Sequence, residues 1–584
     1  MHFAPGAAIS RIPKAAVGIP RVGVPTFIMA VLVLVLGFFL IYPIVTILLI
    51  SFNTARSIFV GPTEWGLGNW EAVFTNPRLL RSLLNSFLVF GIITTISFPL
   101  AVLISWVLAR VRIPFSHGFE FLFWVAWMMP NIAVTIGWLL LAHPQVGMAN
   151  VLLERLPWID GKPLNLYSVP GIIWVHLFSG AISQKVMLLT PAFRNMDAAL
   201  EEAGRVSGAS TVGTMMKVTL PVMVPVMGLV FALQLFQIFR SFEIELILGA
   251  PISFYVYSTM LFELIRSTEP PLHGQAAALA GVTLVVVAFI VPMQRWLIGR
   301  RRYTTVTGSF KPGLIDIGAV KYIALGLMVL VLCLEIVVPS LSLVVGSFMV
   351  RSGFFHLDPA FSLRHWIFLF NDHDLIRALG NTLILAGTTA MISPILFSMI
   401  AYILVRTRWR GRMLVDSIIW SSGVIPGMLS GLGLLLMFLG TPGLNFLYGS
   451  IWALLLVVIM QGNTTGVNLS KAVFVQMGQD MEDQARVSGA GWLRTYFRIW
   501  IPLLMPTLIL LGTFHFVIAA NSTSSIILLA ARDTVTLSIL ALEYASVGYR
   551  ESAGIISILI MLLTVGVSLV ARAFGLRLGV RHQY

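Results

Sequence analysis

Glu201-Glu202-Ala203-Gly204-Arg205-Val206-Ser207-Gly208-Ala209 returns 281 residues later as Glu482-Asp483-Gln484-Ala485-Arg486-Val487-Ser488-Gly489-Ala490. Each copy runs on to prolines in the same register: Leu220-Pro221 with Pro225, and Ile501-Pro502 with Pro506. Carboxylates in a first turn suit the positive end of a helix dipole. Gly208 and Gly489 then break or bend that helix, or let another backbone approach closely. Pro221 and Pro502 mark the start of the next helix. Each stretch therefore predicts a short polar helix, a turn and a second helix.

The surroundings of these stretches set the class. Of 584 residues, 58% are hydrophobic and 11% charged, with a mean hydropathy of +0.92, which predicts a polytopic membrane protein. The net charge of +14 fits loop topology and anionic lipid, not nucleic acid. Cys333 is the single cysteine, so the chain holds no disulfide framework and no cysteine-based metal site.

Working outward from the repeated stretches, 27–50 is an uncharged apolar run long enough to span a bilayer, and similar apolar runs lie near 83–109, 119–142, 169–190, 222–246 and 274–297. The first reads as a retained span, not a signal peptide. A basic connector, 298–320, contains Arg300-Arg301-Arg302. Six more runs follow near 321–347, 381–405, 414–439, 450–471, 503–528 and 552–571.

Further matched features, Arg81 with Arg377, Asn85 with Asn381, Arg110 with Arg406 and Pro130 with Pro426, stand 296 residues apart, so the first half carries 15 extra residues before its charged loop. The predicted fold is all-α and polytopic, about 12 transmembrane helices as two parallel six-helix repeats. The predicted divisions are a cytoplasmic segment 1–26, a first unit 27–297 with its loop 191–221, a linker 298–320, and a second unit 321–584 with its loop 472–502. With both termini inside, cytoplasmic segments hold 24 of the 38 Lys and Arg and outside loops 11. That bias predicts cytoplasmic termini and cytoplasmic charged loops.

Polar groups inside spans are costly and face a cavity or a partner. In the first half they are Gln184, Lys185, Gln234, Gln237, Arg240, Ser241, Glu243 and Glu245; in the second, Gln461, Asn463, Asn468, His515, Asn521 and Ser522. At the 281 offset Gln234 aligns with His515, Arg240 with Asn521 and Ser241 with Ser522. Gln234, Gln237 and Ser241 share one helix face. These residues predict a polar pathway between the halves; the competing reading is that Arg240 pairs locally with Glu243 or Glu245, and that His515 is a packing residue.

No G-x-x-x-x-G-K-[ST] phosphate loop, His/Cys cluster or catalytic triad pattern occurs in the sequence. The chain is thus not expected to hydrolyse ATP or to bind a cofactor or metal.

Glu-Ala-Gly-Arg-Val-Ser-Gly-Ala with Leu-Pro downstream resembles the "EAA" loop of binding-protein-dependent ABC importer permeases. The resemblance sets Glu202, Ala203, Gly208, Leu220 and Pro221 on that motif. The second copy departs from it: Asp483-Gln484-Ala485 replaces Glu-Ala-Ala and Ile501 the Leu, while Gly489 and Pro502 remain. In that family the loop forms a coupling helix seated in a cleft of the ATPase subunit. The resemblance implies two copies of a separate ABC ATPase carrying ATP and Mg²⁺, and a periplasmic or lipid-anchored substrate-binding protein, docking on outside loops such as 143–168 (Trp158, Asp160, Lys162, Tyr167). It implies residence in the bacterial inner membrane.

The fused double layout resembles iron(III)-type importers and their relatives for thiamine, polyamines and phosphonates. The stretch Ser241–Pro251 followed by Tyr255-Val256-Tyr257-Ser258-Thr259 is most similar to the iron(III) branch. Two other classes compete. A secondary transporter would also use six-helix repeats but has no need of the repeated cytoplasmic loop, and a membrane enzyme would need a catalytic constellation.

Overall fold

A computed structural model describes residues 24–55, 63–299, 313–407, 411–423, 425–478 and 480–577. Most of the predicted N-terminal segment and of the basic linker lies outside these residues. No strand occurs among the described residues beyond isolated bridges.

The first half contains α1 (Val24–Ser51), α2 (Pro77–Arg110), α3 (Ser116–Met128), α4 (Asn131–Ala142), α5 (Val169–Arg194), the short α6 (Ala198–Val206), α7 (Thr211–Phe239), α8 (Glu245–Ile252), α9 (Tyr257–Ser267) and α10 (His273–Gly299). The second repeats the plan with α11 (Val320–Phe348), α12 (His373–Arg406), α13 (Arg412–Ser422), α14 (Gly427–Gly440), α15 (Ile451–Gln476), the short α16 (Asp480–Val487), α17 (Trp492–Asn521), α18 (Leu537–Val547) and α19 (Arg550–Arg577). Among the described residues, eight helices are long and apolar enough to cross a membrane, and two bent pairs raise the number to ten. The protein is an all-α, multi-pass membrane protein of double length.

Several predicted spans are not straight, among them the run 414–439, which is broken between α13 and α14. The run 119–142 is α3 and α4, bent by 91°. Pro130 follows the break, and a proline disfavours helical backbone in the residue before it. The run 222–246 ends early, because α7 stops at Phe239. Arg240, Ser241 and Phe242 leave the helix, and α8 and α9 follow as a pair bent by 76°, the geometry of a re-entrant loop. In the second half α17 likewise stops at Asn521, and the chain returns through turns to α18.

The halves interlock through their first spans. Helix α1 packs on α10 of its own half and on α14 of the other; α11 packs on α19 of its own half and on α4 of the other. The same two residue types meet at both crossings. A Cβ on Gly137 would lie 2.5 Å from the Pro339 carbonyl oxygen, and one on Gly433 would lie 2.8 Å from the Pro43 Cβ. Only glycine permits that approach, as at small-residue contacts between membrane helices generally.

Candidate coupling helices and translocation pathway

Helix α6 begins at Asp197, whose carboxylate accepts from the Ala199 amide at 3.0 Å. It ends at Gly208 (φ +86°), with the Ala209 amide donating to the Gly204 carbonyl at 3.1 Å and the Gly208 amide to that of Arg205 at 2.9 Å. This is the Schellman pattern, which needs a left-handed residue. Helix α16 ends the same way, with Gly489 at φ +77° and the Ala490 amide on the Ala485 carbonyl at 2.9 Å. A Cβ at either glycine would meet nothing within 4 Å. The glycines therefore serve the turn, not a close approach within this chain.

Pro221 and Pro502 do not start helices, contrary to the expectation from their register. Helices α7 and α17 start at Thr211 and Trp492, and a π-turn (Met215–Thr219, Tyr496–Trp500) comes just before Leu220-Pro221 and Ile501-Pro502. A proline inside a helix loses one bond and crowds the carbonyl four residues back. The wider turn absorbs both effects.

One carboxylate per loop is buried. Glu201 accepts from Arg110 Nε at 2.9 Å and Nη2 at 2.6 Å, and from the Thr219 hydroxyl at 2.7 Å, with Arg110 and Glu201 side chains each 1% exposed. Arg110 also donates to the Met196 carbonyl at 3.1 Å. Its repeat counterpart Arg406 donates to the carbonyls of Phe474 and Met477, at 2.9 and 2.5 Å, and lies over the Trp500 ring. Buried Glu482 accepts from the Tyr402 hydroxyl at 3.1 Å. Glu202, Ala203 and Asp483 stay exposed. The exposed faces also carry apolar residues in matched register: Leu200 with Met481, and Val206 with Val487, the last two 89% exposed each. Arg110 and Tyr402, which tie these helices to the membrane domain, and Arg406, which holds the end of α15 just before α16, are absent from the sequence expectation; the repeated arginine is the available signal.

The predicted pathway residues separate into two groups. Gln234 and His515 each face their own half. Gln234 is buried with its amide 3.5 Å from Gln184. His515 is fully buried, its ring nitrogens 2.8 and 3.3 Å from the carbonyls of Leu511 and Gly462, against Phe397. Each of these partners lies in the same half as the residue it contacts. Gln237 is half-buried, its carbonyl accepting from the Arg240 amide at 3.1 Å.

The residues at the helix ends do meet across the halves. Arg240 donates to the Gly423 carbonyl at 2.6 Å, and its counterpart Asn521 donates to the Met128 carbonyl at 3.4 Å. Each therefore reaches the break in the third span of the opposite half. Glu243 lies against Thr523 and Ser524, and Ser524 is its own counterpart at the 281 offset. A residue touching its repeat counterpart lies beside the pseudo-two-fold axis. Arg240 does not pair with either nearby acid. Glu245 is held by His176 at 2.7 Å and by the Ser241 hydroxyl at 2.7 Å. Ser522 donates to the Ile518 carbonyl at 2.7 Å and accepts, through its own carbonyl, from Ser538 at 2.6 Å.

A cavity of about 850 Å³ opens beyond these residues, lined by α8, α9, the turns after α17, and α18. Arg377 of α12 lines it, whereas Arg406 at the other end of α12 meets the second charged loop. Cavity and loop are thus separated by roughly 40 Å of helix.

Residues 394–579 match the family of binding-protein-dependent transport system inner membrane components. The molybdate/tungstate transport system permease protein of Pyrococcus abyssi is 30% identical over 214 residues, 36% of this chain and 84% of that one. This chain belongs to the binding-protein-dependent transport permeases. The permease is also 24% identical to the ferric transport system permease protein of Actinobacillus pleuropneumoniae over 510 residues, 86% of this chain and 71% of that protein. A putative ferric transport system permease of Haemophilus influenzae is likewise 24% identical, over 86% of this chain and 77% of its own length. A solved bacterial alginate ABC transporter chain aligns with a TM-score of 0.38 at 19% identity, covering 48% of the permease and 96% of that chain.

Proposed function

We propose that the permease is the membrane subunit of an ATP-driven importer, and that α6 and α16 dock two copies of a separate ATPase. The observation that carries this reading is the pair of short helices in matched register, each fixed from behind by one buried carboxylate and presenting an exposed apolar tip. Helices that only connect spans would not present Val206 and Val487 to water, since exposed apolar area disfavours solution and favours a partner's groove. The buried ends transmit force: Glu201 is bonded to α2 through Arg110 and to α7 through Thr219. A push on α6 thereby reaches two spans.

In this reading the ATPase holds ATP and Mg²⁺ and the permease holds no cofactor. Both termini and both docking helices face the cytoplasm of the inner membrane, and a periplasmic or lipid-anchored binding protein delivers cargo at the opposite end. The relatives named for ferric transport support an iron-containing cargo. The axial cluster of Arg240, Glu243, Asn521 and Ser524 lies on the route. The test is assembly of the purified permease with its co-encoded ATPase. Val206→Asp with Val487→Asp should abolish stimulated ATP turnover and uptake while insertion is unchanged. Wild-type uptake by that variant rejects docking through these tips.

A further inference from the structure

The cavity at the far end of the bundle is built from both halves. Ile247 and Phe262 come from the re-entrant pair of the first half, and Ile527 and Leu540 from the matching region of the second. Its charge is uneven. Four arginines, Arg266, Arg377, Arg532 and Arg550, line it together with three acids, Glu263, Asp374 and Glu543.

The arginines have different tasks. Arg266 crosses between the halves and donates to the carbonyls of Ile527 and Ala530 at 3.1 and 3.2 Å. Arg377 lies 3.6 Å from Asp374 and 3.4 Å from Asp533. Glu263 is taken by Arg78 at 3.7 Å. Arg532 and Arg550 have no carboxylate within ion-pair distance among the described residues, yet both line the cavity. A guanidinium offers a planar fork of donors that matches carboxylate and phosphate oxygens. A concave site walled by apolar residues focuses the field of such unpaired charges. Among the described residues, no group of three His, Cys, Asp or Glu is placed to hold a metal ion.

We infer that this cavity receives an anionic cargo bearing several oxyanionic groups, either a free organic polyanion or the carboxylate shell of a chelated metal. The inference rests on the importer reading and refines it: iron would cross inside an anionic shell, not as a bare cation. The volume supports the larger ligand. About 850 Å³ lies within the range of clefts that hold organic ligands and far exceeds a single tetrahedral oxyanion. Tyr167 and Tyr448, also on the wall, add hydroxyls suited to such oxygens.

The test is calorimetric binding to the permease alone in lipid nanodiscs, with citrate, ferric citrate, molybdate and La³⁺ as probes. Citrate or ferric citrate should bind, and more weakly as salt rises. Arg532→Gln with Arg550→Gln should weaken that binding at least tenfold. Glu543→Gln, which removes an exposed negative charge, should tighten it severalfold and keeps the test valid should the arginine variant not fold. Equal binding of both citrate forms identifies the organic anion as the ligand; binding of ferric citrate alone identifies the complex. Binding of La³⁺ in preference to the anions, of molybdate alone, or of anions with unchanged affinity in the variants overturns the inference. No ATPase or binding protein is present, so lost anion binding with intact ATPase assembly rejects only this inference. Intact anion binding without ATPase assembly rejects only the importer reading.

Discussion

Arg110→Met tests whether α6 is held from behind by a single buried carboxylate. In the native protein Glu201 is 1% exposed with both oxygens satisfied, Oε2 by two guanidinium donors and Oε1 by Thr219. The substitution keeps the stem's bulk and removes every donor to Oε2. It leaves a buried charge unpaired, which costs about 3–5 kcal/mol when one partner of a buried pair is lost. At about 1.4 kcal/mol per decade, the undocked population of α6 should rise by roughly two to four decades. Hydrogen exchange read by mass spectrometry measures this directly on peptides covering 198–206. Helix α16, anchored independently by Tyr402, provides an internal reference. Arg110→Met with Glu201→Met removes the stranded charge and should restore most of the protection, because an apolar pair of similar volume replaces a buried ion pair at little cost. Unchanged exchange in the single variant, or a double variant no better than the single, would refute the anchoring argument.

Gly208→Val should loosen the end of α6 by on the order of 1–2 kcal/mol, because φ +86° and not crowding sets the demand there. Gly208→Asn should be milder, and equal exchange of residues 205–210 in both variants would contradict this. Gly433→Leu should impair assembly of the two halves, since the new side chain would overlap Pro43, whereas Gly91→Leu meets open space and should be silent in detergent stability assays. Acidification should loosen the loop after α4. Burial, helped by nearby Arg550, lowers the His143 pKa from 6.5 to about 4, and its Nδ1 accepts from the amides of Gln145 and Val146 at 3.1 and 3.2 Å. The neutral ring's contribution is complete above pH 6.5 and is lost as pH falls from 6.5 towards 4. After correction for the intrinsic exchange rate at each pH, protection of residues 143–150 should fall as pH drops over that window in the native protein and stay level in His143→Asn.

The repeat was legible because it is written in residues with few substitutes. Glycine at a left-handed turn, proline after a π-turn and an arginine at the end of the second span all recur at fixed offsets. The apolar runs located the spans for the same reason: a bilayer demands length and uniformity. The breaks were less legible. Pro130 and Pro426 were visible as repeat markers, but hydropathy cannot tell a straight span from one bent by 91°, since both are equally apolar. Lipid excludes polar residues, so the sequence predicts that they face a shared cavity. That premise does not say which neighbour satisfies them. His515 finds carbonyls within its own half, while Arg240 and Asn521 reach across to the other. The partner of a buried polar group depends on helix rotation, which a twofold-repeated sequence leaves undetermined.

The exchanged first spans bear on the order of events during synthesis. Pro43 of α1 meets its partner Gly433 only after 390 further residues have been made. At about 5–20 residues per second, α1 waits in the bilayer for roughly 20–80 s before that surface can be covered. The reciprocal contact waits less, because Pro339 follows Gly137 by 202 residues, roughly 10–40 s at that rate. The crossing completed last is therefore the one made by α1, and the ribosome has passed Gly433 before the two halves can lock.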